Sequence, residues 1–247
     1  MNLHVLPVRT AGAAENMAVD FLLLQRYPEP ATARFRHYEW RGPACTFGYG
    51  QKIAFVRAHL PAAEIHDLCR RPTGGGIVDH RHDWTYALVI PRGHALSDER
   101  AVSSYRAVHE CLAASLASCG QPVELKRTCP PEVAGAAEGD AGRPEPISPA
   151  GVCFQRAELF DVVNPRTGAK VAGAAQKRNK HGLLLQGSIE KGNLGPVDWE
   201  AFGVAFAAAL GQCLGAAPVE TPWPEFNEDE TGALIEQYSS PEWIGYR

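Results

Sequence analysis

The sequence predicts an α+β fold in which helices pack on a mixed β-sheet, in a single domain that spans residues 1–247. Helical and strand-like segments are mixed along the chain without the strict alternation that a parallel sheet requires. Two strand-like runs, 170–177 and 183–189, flank the loop residues 178–182, which is typical of an antiparallel hairpin. With 247 residues, 45% of them hydrophobic, the chain can bury one large core or two modest ones.

The spacing of apolar residues predicts the individual elements. The first predicted helix ends at Pro28, and the second ends at Gly120, since proline and glycine commonly terminate helices. The continuous apolar run at 85–90 predicts a strand buried on both faces. The predicted strands lie at 35–40, 45–49, 85–90, 170–177 and 183–189, and the predicted helices at 16–27, 98–119, 199–213 and 234–238.

Composition excludes several classes of protein. The chain has 24 basic and 28 acidic residues and no basic run, so we expect no nucleic-acid or membrane partner. The longest apolar stretch, 201–217, falls short of the roughly 20 residues that span a bilayer. Seven cysteines, an odd number without a C-x-x-C pair, and an N-terminus without an export signal predict a cytoplasmic protein with reduced thiols.

Residues 128–151 contain five prolines, four glycines and no aromatic residue, and they end just before Cys153. Loops of this length are usually functional or disordered. We therefore expect a long mobile loop here.

The segment R-R-P-T-G-G-G-I-V-D-H, residues 70–80, is the densest candidate for a binding site. Three consecutive glycines let the backbone approach a ligand closely and expose N–H donors. The segment is not a phosphate-binding P-loop, because the Lys-Ser/Thr end is missing. The alternative is a tight turn with Arg70 and Arg71 in solvent. The histidines of His80-Arg81-His82 have no third ligand at metal-site spacing, so we expect no metal.

Lys170 begins the second candidate, K-V-A-G-A-A-Q, a strand of small residues along which an apolar ligand has room to lie. The alternative is a charged strand end beside a packed sheet. Cys153 is either a small buried hydrophobe or a nucleophile. A lysine close in space would lower the pKa of this thiol and favour the thiolate.

Taken together, these segments resemble the biotin/lipoate ligase superfamily, in particular the branch of lipoate–protein ligase A and the cysteine-type octanoyltransferases. The matching segments are N-M-A-V-D at 16–20, Trp40 with T-F-G-Y-G-Q at 46–51, R-R-P-T-G-G at 70–75 with His80, T-Y at 85–86, S-Y-R at 104–106, K-V-A-G-A-A-Q at 170–176, G-L-L-L-Q-G at 182–187 and Y-S-S-P-E-W at 238–243. The resemblance implies the class II synthetase-like catalytic fold of that superfamily.

The resemblance also implies an enzyme of lipoate biosynthesis that needs no cofactor. In that branch a cysteine, here Cys153, takes octanoyl from acyl carrier protein and passes it to a lysine of a lipoyl domain. Lys170 matches the lysine that lowers the pKa of the thiol. The acceptor would be a protein such as the glycine cleavage H protein or a 2-oxoacid dehydrogenase E2. The residues expected to bind substrate are Arg71, Thr73, Gly74, Gly75, Gly76, Ile77, Val78, His80, Gly173 and Ala174.

Two alternatives remain open at this stage. Gly76 is typical of the ATP-dependent ligases, which use ATP, Mg²⁺ and lipoate and pass through a lipoyl-adenylate. Asp79, Arg81, Ala174 and Gln186 depart from the usual pattern, which leaves room for a non-catalytic relative that binds a lipoyl domain or an acyl carrier. The acidic carrier would need basic contacts, for which we expect Arg41, Lys52, Arg57, Arg70 and Arg71.

Overall fold

A computed structural model describes residues 2–60, 67–128, 154 and 156–246 of the chain. It confirms the predicted α+β fold with a mixed sheet and flanking helices. The strands are β1 (Asn2–Ala11), β2 (Ala33–Trp40), β3 (Ala44–Phe47), β4 (Asp67–Arg70), β5 (Ile77–Asp79), β6 (Asp83–Pro91), β7 (Glu124–Leu125), β8 (Val162–Val163), β9 (Lys170–Asn179), β10 (Gly182–Glu190) and β11 (Ala217–Glu220). The helices are α1 (Ala13–Gln25), α2 (Ile53–His59), α3 (Ala95–Asp98), α4 (Ala101–Ser118), α5 (Trp199–Leu214), α6 (Glu228–Ser239) and α7 (Pro241–Ile244), and Lys191–Asn193 form a 3₁₀ turn.

Eight strands form the large sheet, in the order β11-β1-β2-β6-β10-β9-β8-β7. The pairs on either side of β1 are parallel, whereas the remaining pairs are antiparallel, so the sheet is mixed. All nine residues of β6 are buried, as its continuous apolar sequence predicted. The β9–β10 hairpin is confirmed, but Asn179 pairs with Gly182, so its loop is two residues long rather than five.

Helices cover both faces of this sheet. On one face α4 and α5 bury aliphatic and aromatic side chains against β6 and β10, including Phe206, which contacts Tyr86 edge-to-face. On the other face α1 and α6 form a second apolar cluster with Ala87, Val89 and Leu184. Strand β1 was not predicted, because His4, Pro7 and Arg9 interrupt its alternation.

A smaller sheet, in the order β4-β3-β5, stands beside the large one and packs its own apolar cluster against α2. Arg70 ends β4 and is fully buried. Its guanidinium donates hydrogen bonds to the carbonyls of Tyr49 and Gln51 at 2.7 and 2.8 Å, and to those of Trp243 and Ile244 at 2.9 and 2.7 Å. The interpretation of Arg70 as a solvated side chain is therefore wrong. The Arg70 guanidinium connects α7 to the small sheet by hydrogen bonds.

Among the described residues, no helix is long and apolar enough to cross a membrane.

Candidate active site

A pocket that is partly open to solvent lies between the large and the small sheet. The β9–β10 hairpin and β6 form its floor. β3, β5 and the segment of three glycines that follows β4, residues 74–76 (the glycine segment), form its cover. Apolar and small side chains dominate the wall, with a few polar groups at fixed places. The lining residues are Met17, Tyr38, Trp40, Thr46, Arg71, Gly75, Val78, His80, Thr85, Phe154, Lys170, Gly173, Ala174, Ala175, Gln186, Gly187 and Ser188.

Arg71 holds the backbone of the glycine segment in place. Its side chain, 5% exposed, donates hydrogen bonds to the carbonyls of Gly74 and Gly76 at 3.0 and 2.9 Å. Because Arg71 is buried in this role, neither it nor Arg70 is available as a basic contact for an acidic carrier protein, contrary to our expectation.

The glycine segment approaches β3 so closely that a side chain at Gly48 is excluded, since a Cβ there would lie 2.0 Å from the Gly75 carbonyl oxygen. The N–H groups of Gly74, Gly75 and Gly76 donate no hydrogen bond to any described residue. Of these three donors without an acceptor in the described part of the chain, the one of Gly75 lines the pocket and is suited to a ligand oxygen.

His80 belongs to a buried hydrogen-bond chain. Thr46 Oγ1 accepts from Arg71 Nη1 at 2.7 Å and is hydrogen-bonded to His80 Nε2, also at 2.7 Å. The other ring nitrogen, Nδ1, donates to the carboxylate oxygen Oδ2 of Asp83 at 2.7 Å. Trp40 stacks on the imidazole with ring centroids 4.0 Å apart. The contacts make His80 a wall residue of the pocket, and no group of metal ligands is present among the described residues.

Gln186 connects three elements at the floor of the pocket. Its Oε1 accepts from Thr73 Oγ1 at 2.7 Å, and its Nε2 donates to Asp20 Oδ2 at 2.6 Å. Burial raises the pKa of Asp20, an effect that the Arg36 guanidinium opposes. Thr73 thus bonds to a wall residue rather than lining the pocket itself.

Lys170 lies at the junction of this pocket and a neighbouring groove. Its ammonium is 2.8 Å from Asp161 Oδ2 and 5.9 Å from the centre of the Phe154 ring. The interpretation as a charged strand end beside a packed sheet does not fit, since Lys170 is 8% exposed and faces a pocket. Cys153 lies outside the described residues, as do 129–151 of the predicted loop 128–151. Phe154, next to Cys153 in sequence, lines the pocket.

Six of the ten predicted substrate-binding residues line this pocket, whereas Thr73, Gly74, Gly76 and Ile77 do not. Ile77 packs into the apolar cluster of the small sheet, because successive residues of β5 face opposite sides and Val78 takes the pocket side. The Ala174 N–H donates to the Tyr105 hydroxyl at 3.1 Å, so it cannot also hold a ligand oxygen, although Ala174 lines the pocket. Gly74 is exposed, and Gly76 lines the neighbouring groove.

Sequence reasoning did not assign Gln186, Ser188, Asp83, Asp161 or Tyr105 to the site. A signal existed for the first two. Gln186 and Ser188 are two residues apart in the apolar strand β10, and this spacing puts both polar side chains on one face. Tyr105 belongs to the S-Y-R segment of the family resemblance, whereas Asp83 and Asp161 gave no local signal. Long-range packing places Asp83 behind His80, and Tyr105 and Asp161 in the neighbouring groove.

The family model for the lipoyl protein ligase A/B catalytic domain matches residues 12–191. The chain belongs to this family. Both candidate segments, the glycine segment and the strand that begins at Lys170, lie within the matched range, as does Cys153.

Two relatives of this member of the lipoyl protein ligase A/B family carry the name octanoyltransferase LipM. The protein from Symbiobacterium thermophilum is 28% identical, and the match covers 98% of this chain and 97% of the relative. The protein from Geobacillus kaustophilus is 32% identical, over 71% of this chain and 60% of the relative.

Solved structures confirm the fold. A lipoate-protein ligase A bound with ATP has a TM-score of 0.70 at 18% identity, and the match covers all of both chains. A bipartite lipoate protein ligase from Thermoplasma acidophilum has a TM-score of 0.68 at 18% identity, covering 100% of this chain and 98% of that one. The predicted family and fold are thus confirmed.

Proposed function

We propose that this protein is an octanoyltransferase that carries the acyl group as a thioester on Cys153 and delivers it to a lysine of a lipoyl domain. The observation that carries the proposal is the position of Lys170, a buried ammonium at the edge of an apolar pocket, 5.9 Å from the ring of the residue that follows Cys153. The names of its relatives in the family support the same reaction.

The first step is attack of the Cys153 thiolate on the thioester carbonyl of octanoyl-acyl carrier protein. A new C–S bond forms at Cys153, the bond to the carrier sulfur breaks, and the carrier leaves as a thiolate. In the second step the neutral amine of the lipoyl-domain lysine attacks the Cys153 thioester. The amide forms, the amine releases one proton, and the Cys153 thiolate is restored. The reaction needs no nucleotide, because the thioester already activates the acyl group.

Three groups of the described chain support this chemistry. The Lys170 ammonium favours a thiolate nearby, because an adjacent cation stabilises negative charge on sulfur. The N–H group of Gly75, which lines the pocket and has no acceptor among the described residues, is suited to stabilise negative charge on the carbonyl oxygen in both steps. The apolar wall between Met17 and Val78 accommodates the hydrocarbon tail.

The test is intact-protein mass spectrometry after mixing the protein with octanoyl-acyl carrier protein without ATP. We expect a mass gain of about 126 Da, one octanoyl group held as a thioester, which is lost in Cys153→Ala. Cys213→Ala is the matched control, since it removes an exposed free thiol and should leave the adduct intact.

The other outcomes identify the alternatives. Modification of a lipoyl domain only when ATP, Mg²⁺ and free lipoate are present would instead identify a ligase. Absence of modification under either condition would favour a non-catalytic binding protein. Comparing octanoyl-acyl carrier protein with an octanoylated lipoyl domain as donor, and an H protein with an E2 domain as acceptor, then defines both partners.

A further inference from the structure

We propose that Asp161, held in turn by Tyr105, is the positioning residue of this site, and that it keeps the Lys170 side chain charged and fixed at the edge of the acyl pocket. The inference rests on the proposed function and extends it, since it names the counter-ion of Lys170, the lysine proposed to stabilise the Cys153 thiolate.

Asp161 is fully buried and accepts hydrogen bonds from three directions. Lys170 Nζ is 2.8 Å from Oδ2, and the Glu158 N–H donates to the same oxygen at 2.6 Å. The Tyr105 hydroxyl donates to Oδ1. Because that hydroxyl accepts from the Ala174 N–H, its proton is committed to Asp161.

The backbone next to Asp161 is held in a conformation that orients this carboxylate. Phe160, the preceding residue, has φ of 65°, a left-handed conformation that a bulky side chain rarely adopts. Hydrogen bonds fix it there: the Phe160 N–H donates to the Lys126 carbonyl at 2.8 Å, and its carbonyl accepts from His109 Nδ1 at 2.7 Å. Such conformations persist where the surroundings over-determine them, often at functional sites.

Gly173 makes room for the lysine. A Cβ at this position would lie 2.7 Å from both Cε and Nζ of Lys170 and 3.1 Å from Asp161 Oδ1. Glycine in the interior of a strand often marks a place where another group approaches the backbone closely. In β9 that group is the Lys170 side chain, which passes over Gly173 to reach the Asp161 carboxylate.

Charge explains why the carboxylate is needed. Within 4.0 Å of Lys170 Nζ, the described residues place one carboxylate, that of Asp161. A buried ammonium without a counter-ion tends to lose its proton, and a neutral amine does not stabilise a thiolate. Asp161 therefore preserves the cation that the proposed chemistry uses, without touching substrate.

The first test follows Lys170 itself, by recording its Nζ resonance in the ¹⁵N-labelled protein as a function of pH. We expect Asp161→Asn to move deprotonation of Lys170 to lower pH, and Tyr105→Phe to do so to a smaller extent. The matched control is Glu110→Gln, which removes an exposed carboxylate paired with Arg106 on α4. An Asp161→Asn titration that coincides with the wild-type titration would overturn the proposal. This readout does not involve Cys153, so it remains decisive even if the proposed function fails.

The second test measures alkylation of Cys153 by iodoacetamide between pH 5 and 10. We expect Asp161→Asn and Lys170→Ala each to slow alkylation at pH 7 roughly tenfold or more, as loss of a neighbouring cation predicts. The double variant should be no slower than Lys170→Ala, because both changes remove the same charge. Additive effects would mean that Asp161 acts on the fold rather than through Lys170. If Asp161→Asn fails to fold, Tyr105→Phe carries both measurements, since it removes one hydroxyl and keeps the ring.

Discussion

His109 makes the stability of this protein sensitive to acid. The imidazole is fully buried on α4, its Nδ1 donates to the Phe160 carbonyl at 2.7 Å, and its Nε2 has no hydrogen-bond partner among the described residues. Protonation would bury an N–H group without an acceptor. Burial accordingly lowers the pKa of His109 from 6.5 to about 4.

The direction and size of the effect on stability follow from the difference between the pKa of His109 in the folded chain and its pKa in the unfolded chain. The unfolded chain binds a proton at His109 below about pH 6.5, whereas the folded chain does not until about pH 4. Between these values the unfolded state holds more protons, so the free energy of unfolding falls as the pH falls. From pH 7.5 to pH 5 this histidine alone should remove about 2 kcal/mol, and the full loss, reached below about pH 4, is about 3 kcal/mol.

The measurement is urea unfolding of the wild type and of His109→Asn at pH 7.5, 6 and 5. The asparagine amide can still donate to the Phe160 carbonyl but does not titrate in this range, so the variant should lose about 2 kcal/mol less than the wild type over the interval. His59→Asn is the control, since exposed His59 makes the same type of bond, to the Phe55 carbonyl at 2.8 Å. Equal pH dependence in the wild type and His109→Asn would refute the reasoning.

Three further substitutions test how the site is built. Gly48→Ala should cost roughly 1–3 kcal/mol and slow acylation, because the new methyl group would overlap the Gly75 carbonyl; thermal unfolding and the octanoyl adduct report the two effects. Arg70→Lys should destabilise the packing of α7, since an ammonium group cannot reproduce the planar guanidinium that donates to four carbonyls. Amide hydrogen exchange at 241–244 should therefore accelerate. Gly173→Ala should cost about 3 kcal/mol, because displacing Lys170 leaves the Asp161 carboxylate buried without its counter-ion. It should also abolish acylation, since Lys170 is pushed from its position.

The comparison of sequence with structure is most instructive at the buried arginines. Arg70 and Arg71 stand next to a glycine segment, and charged residues beside a loop are usually exposed. In the structure both are buried. Arg71 binds the nearby carbonyls of Gly74 and Gly76, whereas carbonyl oxygens of segments far apart in sequence converge on the guanidinium of Arg70. No local pattern encodes that convergence.

The hairpin shows the opposite case. The two strand-like runs and the polar break between them were sufficient to predict their pairing, which the register of Gly182 with Asn179 confirms. Strand-like runs and turn residues are local features, so they can be detected without knowledge of the neighbouring elements.

The sequence by itself determined the fold class, five of the eleven strands and four of the seven helices that the structure describes, and the two segments that meet at the pocket, because periodicity, glycine and proline act within a few residues. The tertiary structure alone decided which face of β5 meets the pocket, that Gln186 connects to Asp20, and that Asp161 stands behind Lys170. Those contacts join residues from separate elements, and a buried ion pair or hydrogen bond exists only when packing brings both partners within about 3 Å. That distance is set by the whole fold and leaves no mark in the neighbouring sequence.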